Sequence, residues 1–149
     1  MRYTIEQVMD RLEIEDLITD YAAIIDSGDV DKLDAIFTPD ADIDYSAMGG
    51  AKGAYPEVKE FLRKALKGFK NTQHLISNFE IKLEGDRATG KIMCFNPMEM
   101  DSGGRPAIPV FFIGLWYHDE YVKTQEGWRI AKRSESKSWT HNLPSFMKL

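Results

Sequence analysis

The sequence predicts an α+β fold, and three observations carry that reading. Apolar residues recur at helical spacing through the first half of the chain. From Thr72 onward the period changes to two, the spacing of strands. The helix-rich and strand-rich stretches follow one another instead of alternating, which separates this pattern from a parallel βαβ sheet. With 149 residues, the chain has the usual size of one domain, here 1–149. Such a chain buries roughly two-thirds of its unfolded surface and needs no metal or disulfide staple.

The first helix starts at Thr4. Thr4-Ile5-Glu6-Gln7 reads as a capping box, in which the Thr hydroxyl accepts from the Gln7 amide and Gln7 reaches back. Val8, Leu12, Leu17, Tyr21 and Ile25 mark an apolar stripe, broadened by Ile14, Ile18 and Ala22. Gly28 is the left-handed stop. Asp29 caps a short second helix, Val30 to Phe37, which Pro39 ends. Ala41 to Tyr45 alternates and reads as a strand, and Met48 to Gly53 is loop. A third helix runs from Tyr55 to Lys67, with Pro56 in its first turn and Val58, Phe61, Leu62, Ala65 and Leu66 facing inward. A first strand of the second half follows Thr72 and turns at Gly85-Asp86, a hairpin signal. The next runs from Arg87 to Met98. After a loop at Asp101 to Gly104, a long strand spans Ile108 to Lys123, with a bend or bulge expected at Gly114. Glu126-Gly127 turns into a last strand, Trp128 to Trp139. Three helices against such a meander make a half-open cone whose lumen is a pocket.

Lys and Arg together number 19 and Asp and Glu 24, giving a net charge of −5. That balance argues against a nucleic-acid or anionic-membrane partner. The densest basic group, Arg63, Lys64, Lys67 and Lys70, reads as a solvated helix face. No apolar run approaches the roughly 18–20 residues of a membrane span. The N-terminus shows no apolar signal-peptide core, so a cytoplasmic protein is expected. The single cysteine, Cys94, excludes an intramolecular disulfide framework and reads as packing. No pair of histidines has metal-ligand spacing, so no metal site is expected. Ser102-Gly103-Gly104 lacks the Lys-Ser/Thr of a phosphate loop, and no G-x-S-x-G occurs. The expected protein works without a cofactor.

A few residues stand out as chemistry. Asp26 ends the helical stripe of Ile14, Ile18 and Ala22 with a carboxylate, at a helix C-terminus where the macrodipole disfavours it. His74 lies near a strand start, on the parity of Ile76 and Asn78, where a partly desolvated imidazole titrates near neutrality. Tyr21 and Tyr45 offer phenolic donors on apolar elements. Taken singly, each has a plainer role: a solvated carboxylate, a satisfied core histidine, two core tyrosines. His118 and His141 are weaker candidates, in a solvated strand end and in the tail. Tyr21 and Asp26 lie about 140° apart on an ideal helix, so both face one pocket only if the helix crosses the mouth of the cone or its last turn deforms.

Taken in order, four segments resemble the SnoaL-like branch of the NTF2-like superfamily, the branch of scytalone dehydratase, the bile-acid 7α-dehydratases and the lindane dehydrochlorinase. They are Ile14-Glu15-Asp16-Leu17-Ile18 leading to Tyr21-Ala22 and Asp26; Phe37-Thr38-Pro39-Asp40-Ala41; Thr72-Gln73-His74-Leu75-Ile76-Ser77-Asn78; and Gly127-Trp128-Arg129-Ile130 followed by Lys132-Arg133. The resemblance covers nearly the whole chain. Tyr21, five residues before the aspartate, looks like the bile-acid dehydratase pattern; the dehydrochlorinase has a lysine there. Arg133 resembles an arginine that assists leaving-group departure in the dehydrochlorinase.

The resemblance implies a sheet curved into a cone, a deep apolar pocket and commonly a trimer. It implies that Asp26 and His74 form a dyad that removes a substrate proton while tyrosines hold oxygen atoms. In physical terms, Asp26 fixes the imidazole tautomer and His74 takes a proton from carbon, while Tyr21 and Tyr45 stabilise charge developing on oxygen. The expected activity is a cofactor-independent lyase of the dehydratase type acting on a small, apolar, cyclic substrate. An isomerase on the same scaffold and a non-catalytic binding or assembly module are the alternatives. Aromatic surplus on the long strands (Phe111, Trp116, Tyr117, Tyr121, Trp128) points to a homo-oligomer, a trimer by resemblance or else a dimer. Trp139, Leu143, Phe146 and Met147 give the tail apolar anchors with which to dock over the mouth of the cone.

Overall fold

Helix α1 (Ile5–Ser27) begins with the expected capping box: Thr4 Oγ1 accepts the Gln7 N–H at 3.2 Å, and Gln7 Oε1 accepts the Thr4 N–H at 2.9 Å. It ends at Gly28, whose φ of +73° lets its N–H reach the Ile25 carbonyl at 3.1 Å, a conformation that costs glycine little. The structure, a computed structural model, describes residues 3–104, 109–147 and 149. The buried face of α1 is its second half, from Ile14 to Ile25. The stripe expected at Val8 and Leu12 does not reach the core; Ile5, Val8, Met9 and Leu12 are 44–80% exposed, and this end of the helix instead turns buried Asp10 to the sheet, where it accepts from Lys123 Nζ at 2.7 Å and Trp128 Nε1 at 3.0 Å.

The expected second helix is a 3-10 turn, Val30–Ala35. The chain is already extended at Phe37, and strand β1 (Phe37–Asp44) contains Pro39. The proline is tolerated there because the pairing of β1 shifts register between Phe37 and Asp42. Within the expected loop, Lys52–Ala54 pairs with β1 as a short strand, β2. Helix α2 (Tyr55–Ala65) carries Pro56 in its first turn and runs into a 3-10 turn at Leu66–Gly68. The rest is strand: β3 (Phe69–Thr72), β4 (Leu75–Glu84), β5 (Arg87–Met100), β6 (Phe111–Thr124) and β7 (Gly127–His141). Of these, β3 was not foreseen. The expected strand start at Ile108 falls outside the described residues.

The strands form one sheet in the order β2-β1-β7-β6-β5-β3, with β4 on another part of β5. Only β1 and β7 pair in parallel; every other described pair is antiparallel. The long strands curve through bulges, which add local twist. Two lie between β6 and β7. Tyr121 faces Ile130 and Glu120 faces Lys132, so Ala131 is extra; Leu115 faces Lys137 and Gly114 faces Trp139, so Ser138 is extra. Gly114 therefore does mark an irregularity. A side chain there would meet the Trp139 indole at 2.5 Å, and its absence lets that ring lie across β6.

The Ala131 bulge decides what β7 presents to the inside. Trp128 and Ile130 face the core on even numbers; past the bulge Arg133 and Glu135 do so on odd numbers. Of the long-strand aromatics, Phe111, Tyr117, Tyr121 and Trp128 are buried. Trp116 faces out beneath Lys91 Nζ, 4.2 Å from its ring centre. The outer aromatic cluster is a different set, Phe95, Phe112, Trp139 and His141, with ring centres 5.6–5.8 Å apart. The tail turns back at Asn142 and folds over Pro144–Met147, where the Met147 N–H reaches the Pro144 carbonyl at 2.9 Å. Leu143 and Met147 pack on the core. Trp139 and Phe146 do not anchor the tail; they are 46% and 63% exposed.

Candidate active site

The concave face of β5, β6 and β7, with α1 and α2 across it, encloses a cavity of about 250 Å³. Most of its wall is apolar, from Ile25, Phe61, Leu62, Met98 and Leu115 among others; the polar groups that reach it include Tyr21, Tyr45, His74, Asn96 and Glu135. A wider, open depression of about 830 Å³ lies on the outer side of α1, lined by Glu13, Asp16 and Asp20, and holds none of these groups.

His74 occupies the short link between β3 and β4, and Asp26 the last turn of α1. Asp26 Oδ1 lies 2.6 Å from His74 Nδ1, and Asp26 Oδ2 accepts the His74 backbone N–H at 2.8 Å. This two-point contact holds both the ring and the backbone of His74. The helix needs no deformation, since it stays α-helical through Ser27. Tyr21 faces the cavity, whereas Asp26 is absent from its wall and faces the sheet edge beside Thr72. The imidazole bridges the angle between them.

The second ring nitrogen, Nε2, meets the Asn96 amide at 3.0 Å. Asn96 is buried in β5. With its oxygen toward Nε2, its NH₂ donates to Thr72 Oγ1 at 3.0 Å and to the Gln73 and Pro97 carbonyls at 3.2 Å. That orientation satisfies the whole amide and puts a proton on Nε2, giving an imidazolium held between Asp26 and Asn96. Turned over, the amide donates to a bare Nε2 and accepts from the Thr72 hydroxyl at 3.0 Å. Asn96 thus accommodates both protonation states of the ring.

The Tyr21 and Tyr45 hydroxyls hydrogen-bond at 2.9 Å on the cavity wall. Burial pushes Tyr21 up to about 12, against the nearby Arg133 charge, and raises Tyr45 well above the ordinary phenol range. Both remain neutral donors at physiological pH. Arg133 lies behind them and does not line the cavity. Its guanidinium is fully buried, 4.2 Å from the ring centres of both Tyr21 and Tyr117. It grips Asp119 bidentately at 2.7 and 2.6 Å, and Tyr121 donates to the same carboxylate at 2.7 Å. The structure thus brings Asp26, His74, Tyr21 and Tyr45 to one side of the cone and sets Arg133 beneath them as the floor. Cys94 is buried, and that burial pushes its thiol up to about 12, in keeping with a packing role.

Two polar groups of the pocket escaped the sequence reading. Asn96 is the polar residue in the alternating buried series Ile92, Cys94, Asn96, Met98; that series was its signal. Glu135 sits in the polar run from Arg133 to Ser138 with nothing to set it apart. It lines the cavity, and its Oε2 is buried without a hydrogen-bond partner among the described residues. Burial raises its carboxyl to about 8, with Arg133 pulling down and Asp119 and Asp44 pushing up.

A helix-capped cone of this kind, with a pocket whose polar groups lie on the inner wall, defines an NTF2-like domain. The chain belongs to the SnoaL-like domain family, whose model matches residues 6–134. It is 45% identical over 134 residues to Rv2910c of Mycobacterium tuberculosis, an uncharacterized protein, covering 90% of this chain and 89% of that one. Among solved structures, Kfla4162 from Kribbella flavida superposes with a TM-score of 0.82 at 24% identity, covering 90% of this chain and 94% of its own. A type 2 hexachlorocyclohexane dehydrochlorinase, LinA, superposes with a TM-score of 0.78 at 20% identity, covering 97% and 96%. These likenesses extend the fold across nearly the whole chain. Among the described residues no group of His, Cys, Asp and Glu side chains could hold a metal ion, and no described helix is long and apolar enough to cross a membrane.

Proposed function

We propose that the protein is a cofactor-independent lyase that removes a proton from carbon and expels a group from the neighbouring carbon. The observation that carries this reading is the Asp26–His74 pair, with Nδ1 held by the carboxylate and Nε2 on the cavity wall. Asp26 orients the ring and balances the charge it gains; Nε2 is the base once it is free of its proton and the Asn96 amide gives up its contact to the substrate C–H. A positioned base of this kind contributes about 10²–10⁴-fold. Tyr21 and Tyr45 are neutral donors for the oxyanion that forms as the proton leaves a carbon beside a carbonyl. The cavity of about 250 Å³ is smaller than a drug-sized pocket, and its apolar wall suits a one- or two-ring substrate. That a dehydrochlorinase uses the same fold supports elimination as the reaction class.

The test is a panel of small cyclic ketones with a leaving group on the β carbon, followed by absorbance of the conjugated product. Wild-type protein is expected to form the enone, and His74→Ala to lose about 10²–10⁴-fold in kcat/KM. Deuterium uptake from D₂O with no loss of the β substituent would instead identify an isomerase. Binding without exchange or elimination would identify a carrier.

A further inference from the structure

Among the described residues Glu135 is the one carboxyl on the cavity wall, and the dyad and the tyrosine pair leave it unused. It projects inward from β7 opposite Tyr117 of β6 and lines the same cavity as His74. No hydrogen bond or ion pair of its carboxyl is found among the described residues, and Oε2 is buried. None of the charged and titratable groups around it hydrogen-bonds its carboxyl among the described residues. Arg133, two residues away on β7, gives Nε and Nη2 to Asp119 of β6; its Nη1 is buried without a hydrogen bond among the described residues and makes none to Glu135. Tyr21 of α1 and Tyr45 bind each other, and Tyr117 and Cys94 are buried neutral groups. Asp44 of β1 adds negative charge nearby.

A carboxylate buried without a hydrogen-bond partner is costly, and the Arg133 charge offsets that cost only in part, against Asp119 and Asp44. A carboxylic acid in the same place costs far less and still carries a proton. Removing that burden needs only a Leu or Met, which would pack the wall as well. An acid retained in an apolar pocket that also holds a base has the makings of an acid–base pair.

We propose that Glu135 is the proton donor to the leaving group, and that this group is a hydroxyl departing as water and not a halide; the inference rests on the elimination reading above. His74 Nε2 takes the proton from the α carbon, and the C–H electron pair becomes the new C=C bond. The Cβ–O bond breaks with its pair on oxygen, and that oxygen takes the Glu135 proton and leaves as water. Glu135 is left as carboxylate and His74 as imidazolium, and solvent exchange returns the proton from one to the other. Hydroxide is a poor leaving group and needs this proton; chloride departs as a stable anion and does not. Neither Asp26, which is held behind His74, nor Arg133, beneath the tyrosines, can supply it directly. The raised carboxyl, about 8, keeps the donor loaded at neutral pH.

Two measurements test this. In protein labelled with ¹³C-glutamate, the Glu135 carboxyl, identified by its absence in Glu135→Gln, is expected to be still protonated at pH 7. A midpoint with the ordinary glutamates would overturn the donor. Elimination is then compared on 3-hydroxycyclohexanone and 3-chlorocyclohexanone. Glu135→Gln, which keeps size and hydrogen bonding but has no acidic proton, is expected to lose about 100-fold or more on the alcohol. On the chloride it is expected to stay within about threefold of wild type. Equal loss on both, or no loss on either, overturns the donor role and leaves elimination standing. Wild-type protein that eliminates from neither, or His74→Ala that retains both, overturns the elimination reading itself.

Discussion

Arg133 and Glu135 are neighbours on one strand face, yet burial acts on them in opposite ways. Arg133 is fully buried and its charge is paired: its guanidinium rests against two aromatic rings and holds Asp119 with two hydrogen bonds, leaving only Nη1 without a partner among the described residues. Removing one partner of such a pair strands the other, at a cost of about 3–5 kcal/mol. Arg133→Leu is therefore expected to lower the chemical-denaturation midpoint sharply. Arg133→Lys should rescue little, since an ammonium cannot reproduce the bidentate grip. Urea titrations with both variants check this; a lysine variant as stable as wild type would contradict it. Glu135 shows the reverse, a penalty that grows with pH. Unfolded, it gives up its proton near 4.5; folded, it keeps it up to about 8. Between those values the folded state holds the extra proton, so stability falls as pH rises. Glu135→Gln removes that loss. Its thermal midpoint is expected to match wild type at pH 4 and to exceed it by several degrees at pH 8.5, at about 2–4 °C per kcal/mol. A difference equal at both pH values would count against the raised carboxyl.

At the level of elements, local signals were legible and long-range ones were not. The capping box at Thr4 and the stop at Gly28 involve residues within a few positions of each other, so the sequence carries them in full. His74 and Asp26 could be named as candidates from their neighbours, but it took the resemblance to pair them. The sequence shows β1 only from Ala41, because Pro39 reads as punctuation unless one knows that the pairing slips there. Glu135 was invisible for a stronger reason. Strict alternation sends an odd-numbered residue of β7 outward with Arg129, and only the extra residue at Ala131, a property of the pairing with β6, brings it in. The tail is the remaining element with a consequence for the site. Met147 lines the cavity, while Leu143 and Pro144 hold the turn against the core. Deleting residues 142–149 opens the cavity to water and weakens the electrostatics inside it. Turnover on an active ketone is expected to fall, with KM rising, while the thermal midpoint changes by only a few degrees. Full activity in the truncated protein would show that the tail is no lid.

At the scale of the molecule, apolar surface remains on the convex side. Phe95, Phe112, Trp139 and His141 stack there into one patch, with Leu75 47% exposed on β4. A contiguous aromatic patch on a sheet face is the mark of an interface, and a second copy of the chain is the occupant expected from the resemblance. Sedimentation at micromolar concentration should give a trimer or a dimer, and Trp139→Glu should shift it toward the protomer. A lone 17.0 kDa species in wild-type protein would refute self-association.

The parallel pairing of β1 with β7 also bears on how the chain is made. Phe37 and Ile130 are sheet partners, yet one leaves the ribosome long before the other. Until the last strand emerges, β1 has only the three-residue β2 beside it and β6 lacks one of its two neighbours. Two open strand edges wait on a partner synthesised after both of them, in the middle of the sheet and not at its rim. Contacts of such sequence separation are slow to form, and open edges are where nascent chains aggregate. The cone can close only once β7 is outside the ribosome, so a ribosome-bound chain with β7 still in the exit tunnel should bind chaperones, whereas one with residue 142 outside it should already hold its native sheet.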